Sequence, residues 1–207
     1  MRSAVLFIEM QNEWLAANGR IRALMTDVAQ FRDAAAAAQR LLDGARAVDA
    51  RIVHAGLRFS AGYPELGDAR QGLRAAIPQA GTFPEQGDGS RFADGFEPHD
   101  GEFVVRGRVG ASAFSGSNLD AYLRNNRIER LYLAGFALHV CVLATAWQAH
   151  DLGYDVNVVA EACAAFTRQQ KQVVVEEIVP HLGGIATVDE TLDQLRPETV
   201  AAAATSA

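Results

Sequence analysis

The sequence predicts a three-layer α/β fold, in which a mostly parallel sheet of about six strands carries helices on both faces. Short apolar runs rich in Val, Ile and Leu recur along the chain, and segments of helical periodicity separate several of them. Nearly continuous apolar runs of this length are typical of strands that are buried on both faces. The 207 residues suffice for one sizeable core. We therefore expect one domain over residues 1–195 and a frayed tail over residues 196–207.

The predicted strands are the apolar runs of strand length. They are Ala4–Ile8, Ile52–Leu57, Phe103–Val105, Leu131–Ala134, Val156–Ala160 and Ile185–Val188. The predicted helices are Thr26–Val48, a segment from Ser117 to Asn125, Val140–Leu152 and Gln169–Val179. An alanine run favours the first helix, Ser117 is a good N-cap for the second, and Gly153 and Pro180 end the last two.

One region interrupts this alternation of strands and helices. The segment Arg58–Asp100 contains four of the six prolines of the chain. Long connections of this kind in a compact domain are usually functional, so we interpret it as an excursion that covers a site.

Composition excludes several classes of protein. The chain has 19 basic and 25 acidic residues, and its net charge of −6 opposes non-specific binding of nucleic acid. No apolar stretch approaches the roughly 20 residues of a membrane span, and the N-terminus lacks the features of a signal peptide. Two cysteines give no disulfide framework. We expect a cytoplasmic protein that binds neither nucleic acid nor membranes.

Reactive side chains follow three of the predicted strands. Glu9 follows the first, Arg106 and Arg108 follow the third, and Cys141 lies shortly after the fourth, near the start of a predicted helix. Ligands of open parallel sheets bind at the carboxyl ends of the strands. The topology therefore brings an acid, a guanidinium and a thiol to one edge.

These three groups together suit the hydrolysis of a planar acyl carbon such as that of an amide. A thiol near a cation and a helix N-terminus is shifted toward the nucleophilic thiolate. A carboxylate can take the thiol proton and return it to a leaving amine. Backbone N–H groups in the turn that contains Ala137, Leu138 and Cys141 can hold an oxyanion.

Three segments, in the same order, resemble the isochorismatase-like cysteine hydrolases, which include nicotinamidases and carbamoyl-amino-acid amidases. They are "VLFIEMQNEW" (5–14), "HAGLRFSAGYPEL" (54–66) and the block from "GRVGASAF" to "VVAEACAA" (107–165). The resemblance extends to about Leu195 and implies a six-stranded parallel sheet. It also implies an Asp-Lys-Cys triad and a homo-oligomer.

The chain departs from this triad at two of its three positions. The aspartate position is Glu9, and the lysine position, six residues before Phe114, is Arg108 rather than Arg106. Arginine replaces a compact ammonium with a planar fork that stays protonated. Two outcomes are open: a bidentate Glu9–Arg108 bridge would weaken the base, whereas the longer acid could reach the same proton from a shifted backbone.

The resemblance also concerns the turn before Cys141. The threonine usual in the family three residues before the cysteine is Leu138 here. A cis peptide common in the family at this point would lie between Ala137 and Leu138. We interpret His139 as a neighbour of the cysteine rather than a dyad partner, and Cys163 as a packing residue.

The predicted function is cysteine-dependent hydrolysis of a small amide, urea or carbamoyl-type C–N bond through an acyl-enzyme on Cys141. An alternative is a catalytically silent scaffold that binds a small molecule or a protein partner, and a third, weaker interpretation is a redox-sensing thiol. The substrate pocket is expected to contain Trp14, Phe59, Tyr63 and Phe114. We expect no cofactor and no metal, because the histidines lack ligand spacing and the loop after the second strand has none.

Overall fold

The computed structural model describes residues 1–196, and within them the chain forms a six-stranded parallel sheet. The strands are β1 (Ser3–Ile8), β2 (Arg51–Ala55), β3 (Phe103–Val104), β4 (Arg130–Phe136), β5 (Asp155–Ala164) and β6 (Gly184–Ala186). Their order is β3-β2-β1-β4-β5-β6, and each neighbouring pair is parallel. The predicted fold class is confirmed. Apart from Arg196, the tail predicted to fray lies outside the described residues.

The helices of the described chain lie between and after these strands. They are α1 (Asn12–Leu15), α2 (Val28–Ala47), α3 (Gly72–Ala80), α4 (Leu119–Asn125), α5 (Leu143–Asp151), α6 (Arg168–Val173) and α7 (Val188–Leu195). A π-helical turn, Leu138–Val142, leads into α5, and a second one, Val174–Ile178, continues α6. Short 3₁₀ turns lie at Arg22–Leu24, Asp88–Ser90 and Val179–His181.

The sheet separates two apolar cores. Successive residues of a strand point to opposite faces, so Val5 and Phe7 of β1 join one core, whereas Leu6 and Ile8 join the other. Helix α2 covers the first core and contributes residues such as Phe31. Helices α4 and α5 cover the second. Burial on both faces accounts for the continuous apolar runs in the sequence.

The structure differs from the predicted elements near the C-terminus. Val188, expected in the last strand, is the first residue of α7. Thr187 ends the extended segment there, because its side chain and that of Glu190 form a capping box for the helix. The helix predicted to continue to Val179 is α-helical only as far as Val173.

The site lies at the point in the sheet where the order of the strands reverses. From the central strand β1, the chain adds β2 and β3 on one side and β4, β5 and β6 on the other. Ligands of open α/β sheets bind at such a switch point, beyond the carboxyl ends of the strands. Ile8 pairs with Gly135 at that end of β1 and β4. Glu9 and the turn that carries Cys141 therefore begin side by side.

Gly135 permits this close approach of the two strands. Its φ is 138°, and a Cβ atom added to it would lie 2.0 Å from the carbonyl oxygen of Ile8. A side chain at this position would force the strands apart at the base of the site.

We expect Gly135→Ala to lower the free energy of unfolding by about 3–5 kcal/mol, because it combines backbone strain with overpacking. Gly153→Ala is the matched control: its φ is 87°, but no atom lies within 4 Å of the added Cβ. The control should lose only about 1–2 kcal/mol. Urea unfolding of both variants measures the difference, and equal losses would contradict this account of Gly135.

Candidate active site

Glu9 is a buried carboxylate directly after β1. Its φ of 58° is unusual for a residue other than glycine, and such conformations are concentrated at functional sites. Its Oε1 accepts a hydrogen bond of 2.6 Å from Arg108 Nη2, and its Oε2 accepts one of 2.9 Å from Trp14 Nε1. Both oxygens of the buried acid are therefore hydrogen-bonded and held in a fixed direction.

Arg108 is equally buried and is held mainly by the backbone. Its Nη1 donates to the carbonyl oxygen of Ala55 at 2.9 Å, its Nε to that of Gly110 at 3.1 Å, and its Nη2 to that of Ala111 at 2.5 Å. A single nitrogen contacts a single oxygen of Glu9, so the pair is not the bidentate bridge considered from the sequence. Arg106, the other candidate, is exposed.

Cys141 lies in the π-helical turn and is buried. Thr145 fixes this turn, because its hydroxyl donates to the carbonyl oxygen of Cys141 at 2.7 Å and accepts from the N–H of Ala113 at 2.9 Å. The second bond joins the turn to the loop that carries Arg108.

Burial raises the pKa of the Cys141 thiol well above its usual value, the charge of Glu9 raises it further, and Arg108 offsets part of this effect. The sequence-based expectation of a shift toward thiolate is therefore wrong. Loss of hydration and a neighbouring anion outweigh the guanidinium. The resting site contains a thiol beside a carboxylate.

A cavity of about 340 Å³ adjoins these residues, and its lining includes Glu9, Trp14 and Cys141. Of the aromatic residues predicted to form the pocket, Trp14 lines this cavity, whereas Phe59, Tyr63 and Phe114 do not. Phe83 and Phe166, which the sequence interpretation missed, line it instead.

The other predicted aromatics pack elsewhere. Phe59 lies against Tyr63, with ring centroids 5.8 Å apart, and belongs to the core that contains Phe7. Phe114 stacks on Tyr154 in the other core, which contains Leu6 and Ile8. The sequence does hold a signal for Phe83, because this residue lies within the segment Arg58–Asp100, which is predicted to cover a site.

The turn before Cys141 begins with buried Ala137 and Leu138. The carbonyl oxygen of Ala137 accepts from the N–H groups of Val140 at 3.0 Å and Val142 at 3.3 Å. The cis peptide lies between Phe136 and Ala137, one residue earlier than expected from the sequence.

His139 packs against an aromatic ring, and Cys163 is buried within a strand. The ring of His139 packs edge-on against Phe166, with centroids 4.4 Å apart, and burial lowers its pKa. Cys163 is buried in β5 with its Sγ 3.7 Å from the carbonyl oxygen of Leu133, and burial raises its pKa to about 12.

Residues 1–196 contain no group of three or more His, Cys, Asp or Glu side chains arranged to hold a metal ion. Over the same residues, every helix is too short or too polar to cross a membrane.

The sequence profile described as the Isochorismatase domain matches residues 3–190. The chain belongs to the isochorismatase family. It is 30% identical over 118 residues to the isochorismatase family protein YwoC of Bacillus subtilis, a match that spans 57% of this chain and 62% of that protein. It is 26% identical over 199 residues to the ureidoacrylate amidohydrolase RutB of Stutzerimonas stutzeri, covering 90% of this chain and 80% of that one.

Solved structures share the fold of this family member. The N-carbamoylsarcosine amidase of Thermoplasma acidophilum matches with a TM-score of 0.71 and 24% identity, over 92% of this chain and 98% of that one. The reaction of this chain is a separate question, because it depends on the residues of the site rather than on the fold.

The balance of charges around Cys141 predicts opposite effects of Glu9→Gln on two measurements. Removing the carboxylate removes a charge that raises the pKa of Cys141, so iodoacetamide should label this thiol faster than in the wild type at pH 8. Any turnover that uses this carboxylate as its proton acceptor should nevertheless fall by about 10²–10⁴-fold, because the amide of glutamine cannot take the proton.

Labelling of Cys163 in the same samples is the internal control, and circular dichroism should show that the variant is folded. Slower labelling of Cys141 in a folded Glu9→Gln variant would contradict this account of its surroundings.

Proposed function

We propose that this protein hydrolyses a small amide, urea or carbamoyl-type C–N bond through an acyl-enzyme on Cys141. The observation that supports this most directly is the shared cavity, whose lining includes both Cys141 and Glu9. The relatives named as an amidohydrolase and an amidase support the same class of reaction.

Glu9 is the proposed proton acceptor, since the pKa of Cys141 is raised and little thiolate exists before substrate binds. As Sγ attacks the carbonyl carbon, Glu9 takes the thiol proton. The backbone of the turn at Ala137, Leu138 and Cys141 is proposed to stabilise the oxyanion. When the C–N bond breaks, Glu9 returns the proton to the leaving nitrogen.

The second half of the reaction uses the same carboxylate. Water attacks the thioester carbon, Glu9 takes the proton of that water, and Sγ leaves and is protonated again. Arg108 is proposed to act as a positioning residue, because it holds Oε1 of Glu9 while three backbone carbonyls hold its own fork. None of these steps uses a cofactor. We also propose that the protein is a cytoplasmic homo-oligomer and that its substrate is a small molecule.

A silent scaffold is the second candidate. Two observations favour it: the raised pKa of Cys141, and the occupation of both Glu9 oxygens by hydrogen bonds from Arg108 and Trp14.

A panel of amides, ureas and carbamoyl compounds distinguishes the two candidates. We expect the wild type to release ammonia and, after an acid quench, to show an acyl adduct on Cys141 by mass spectrometry. Cys141→Ala should abolish both signals, because the nucleophile is lost. Cys163→Ala is the control and should retain them, and a wild type with neither signal across the panel would establish the silent scaffold.

Glu9 and Arg108 should behave as a matched pair. Glu9→Asp shortens the acid by one methylene, so it can no longer reach both Arg108 and Trp14 as Glu9 does. Arg108→Lys removes the fork that contacts the backbone carbonyls. The double variant should recover part of what each single variant loses, with a coupling of about 0.5–3 kcal/mol.

Turnover and the alkylation rate of Cys141 measure this coupling. Additive losses would show that the two residues act independently. A gain in turnover from Glu9→Asp alone would show instead that the native pair is a weakened form of the family's Asp-Lys arrangement.

A further inference from the structure

Helix α3 presents an unusual apolar stripe. Leu73, Ala76, Ile77 and Ala80 follow helical spacing along one face, and all four line the cavity of Cys141. The one buried residue of this helix is Ala75, which is not part of the lining. Ile77 also packs against the first core, whereas Leu73, Ala76 and Ala80 are exposed, so most of the apolar face of α3 is left to the cavity.

The remaining walls of the cavity are largely apolar as well. Ile21, Leu24, Leu57, Phe83 and Phe166 complete most of them. Leu73 and Leu24 stay 44% and 46% exposed, and they are among the few large apolar side chains of the described chain that are exposed. Exposed apolar groups around a concave site are typical of a binding surface.

Charged groups are few and unevenly placed in this lining. Within residues 1–196, the guanidinium of Arg108 is already paired with Glu9, so it is not free to bind an incoming anion beside the thiol. Among the described residues, the cation that lines the cavity is Arg20, which is exposed and donates to the carbonyl oxygen of Gly81 at the end of α3. A carboxylate bound deep in the cavity would lose its hydration without a partner and would lie near Glu9.

We propose that the substrate is a neutral primary amide whose acyl group is apolar and packs against the stripe of α3. This inference rests on the proposed function and names its substrate class. The thiol displaces ammonia from the carbonyl carbon, and water then releases the acyl group as a carboxylic acid. The acid ionises as it leaves, and its charge favours release, because an apolar cavity solvates a carboxylate poorly.

The volume limits the size of the acyl group. About 340 Å³ is close to the lower end of ligand cavities, which range over roughly 300–1,000 Å³. A short aliphatic chain or a single ring fits this space.

Three amides test the proposal. Acetamide is the shortest, pentanamide adds three methylenes, and glutaramate replaces the terminal methyl of pentanamide with a carboxylate. With about 0.8 kcal/mol for each buried methylene, kcat/KM should be about 50-fold higher for pentanamide than for acetamide. Glutaramate should be a poorer substrate than pentanamide by at least the same factor, because its charge has no buried partner.

A pair of leucine substitutions on α3 locates the effect. Ala76→Leu fills part of the cavity and should lower the pentanamide-to-acetamide ratio of kcat/KM about tenfold or more. Gln79→Leu is the matched control: Gln79 is exposed on the same helix and is not part of the lining, so the ratio should stay at its wild-type value. Equal ratios in the two variants would remove α3 from substrate selection.

The outcomes separate the two proposals. If none of the amides in the broader panel releases ammonia or acylates Cys141, the proposed function fails. If glutaramate is preferred and Arg20→Gln abolishes that preference, the protein is a hydrolase of anionic amides, and the apolar substrate class is overturned while the function stands. A preference for acetamide over pentanamide would overturn it as well.

Discussion

The buried ion pair between Glu9 and Arg108 is the interaction on which the rest of the site depends. Burying two charges is costly, and the cost is recovered only when their remaining hydrogen-bonding groups find partners. Here Trp14 satisfies the second oxygen of Glu9, and the carbonyl oxygens of Ala55, Gly110 and Ala111 satisfy the fork of Arg108. The pair thereby joins the end of β1, the end of β2 and the loop after β3, and fixes the acid in direction.

This arrangement determines the protonation state of the Cys141 thiol. Cys141 is surrounded by protein rather than water, and the nearest anion disfavours a second negative charge, so its pKa is raised. A site of this kind cannot rely on a thiolate formed in advance. Any hydrolysis must couple removal of the thiol proton to attack on a bound carbonyl, which makes the position of Glu9 as important as the identity of the nucleophile.

The scaffold and the cavity have separate origins in the chain. The parallel sheet supplies Glu9 and the turn of Cys141 through its central strands, where packing on both faces leaves little freedom. The excursion between β2 and β3 supplies Phe83 and the apolar face of α3, which line the cavity. Phe83 also belongs to the core that contains Val5 and Phe7, whereas Leu73, Ala76 and Ala80 of α3 are exposed. The exposed residues of α3 can change without loss of the fold, so the selection of substrate can change independently of the chemistry.

The sequence by itself determined the strands, helix α2 and the meeting of Glu9, Arg108 and Cys141 at one edge, because apolar periodicity and the rules of parallel sheets are local or topological. It missed α3 as a helix and placed Val188 in a strand. Tertiary structure alone decided that a single contact joins Glu9 to Arg108, 99 residues apart, and that the pKa of Cys141 is raised. It also placed Phe83 and Phe166 in the lining of the cavity, rather than Phe59, Tyr63 and Phe114. Desolvation and side-chain direction depend on residues from distant parts of the chain, so no local pattern records them.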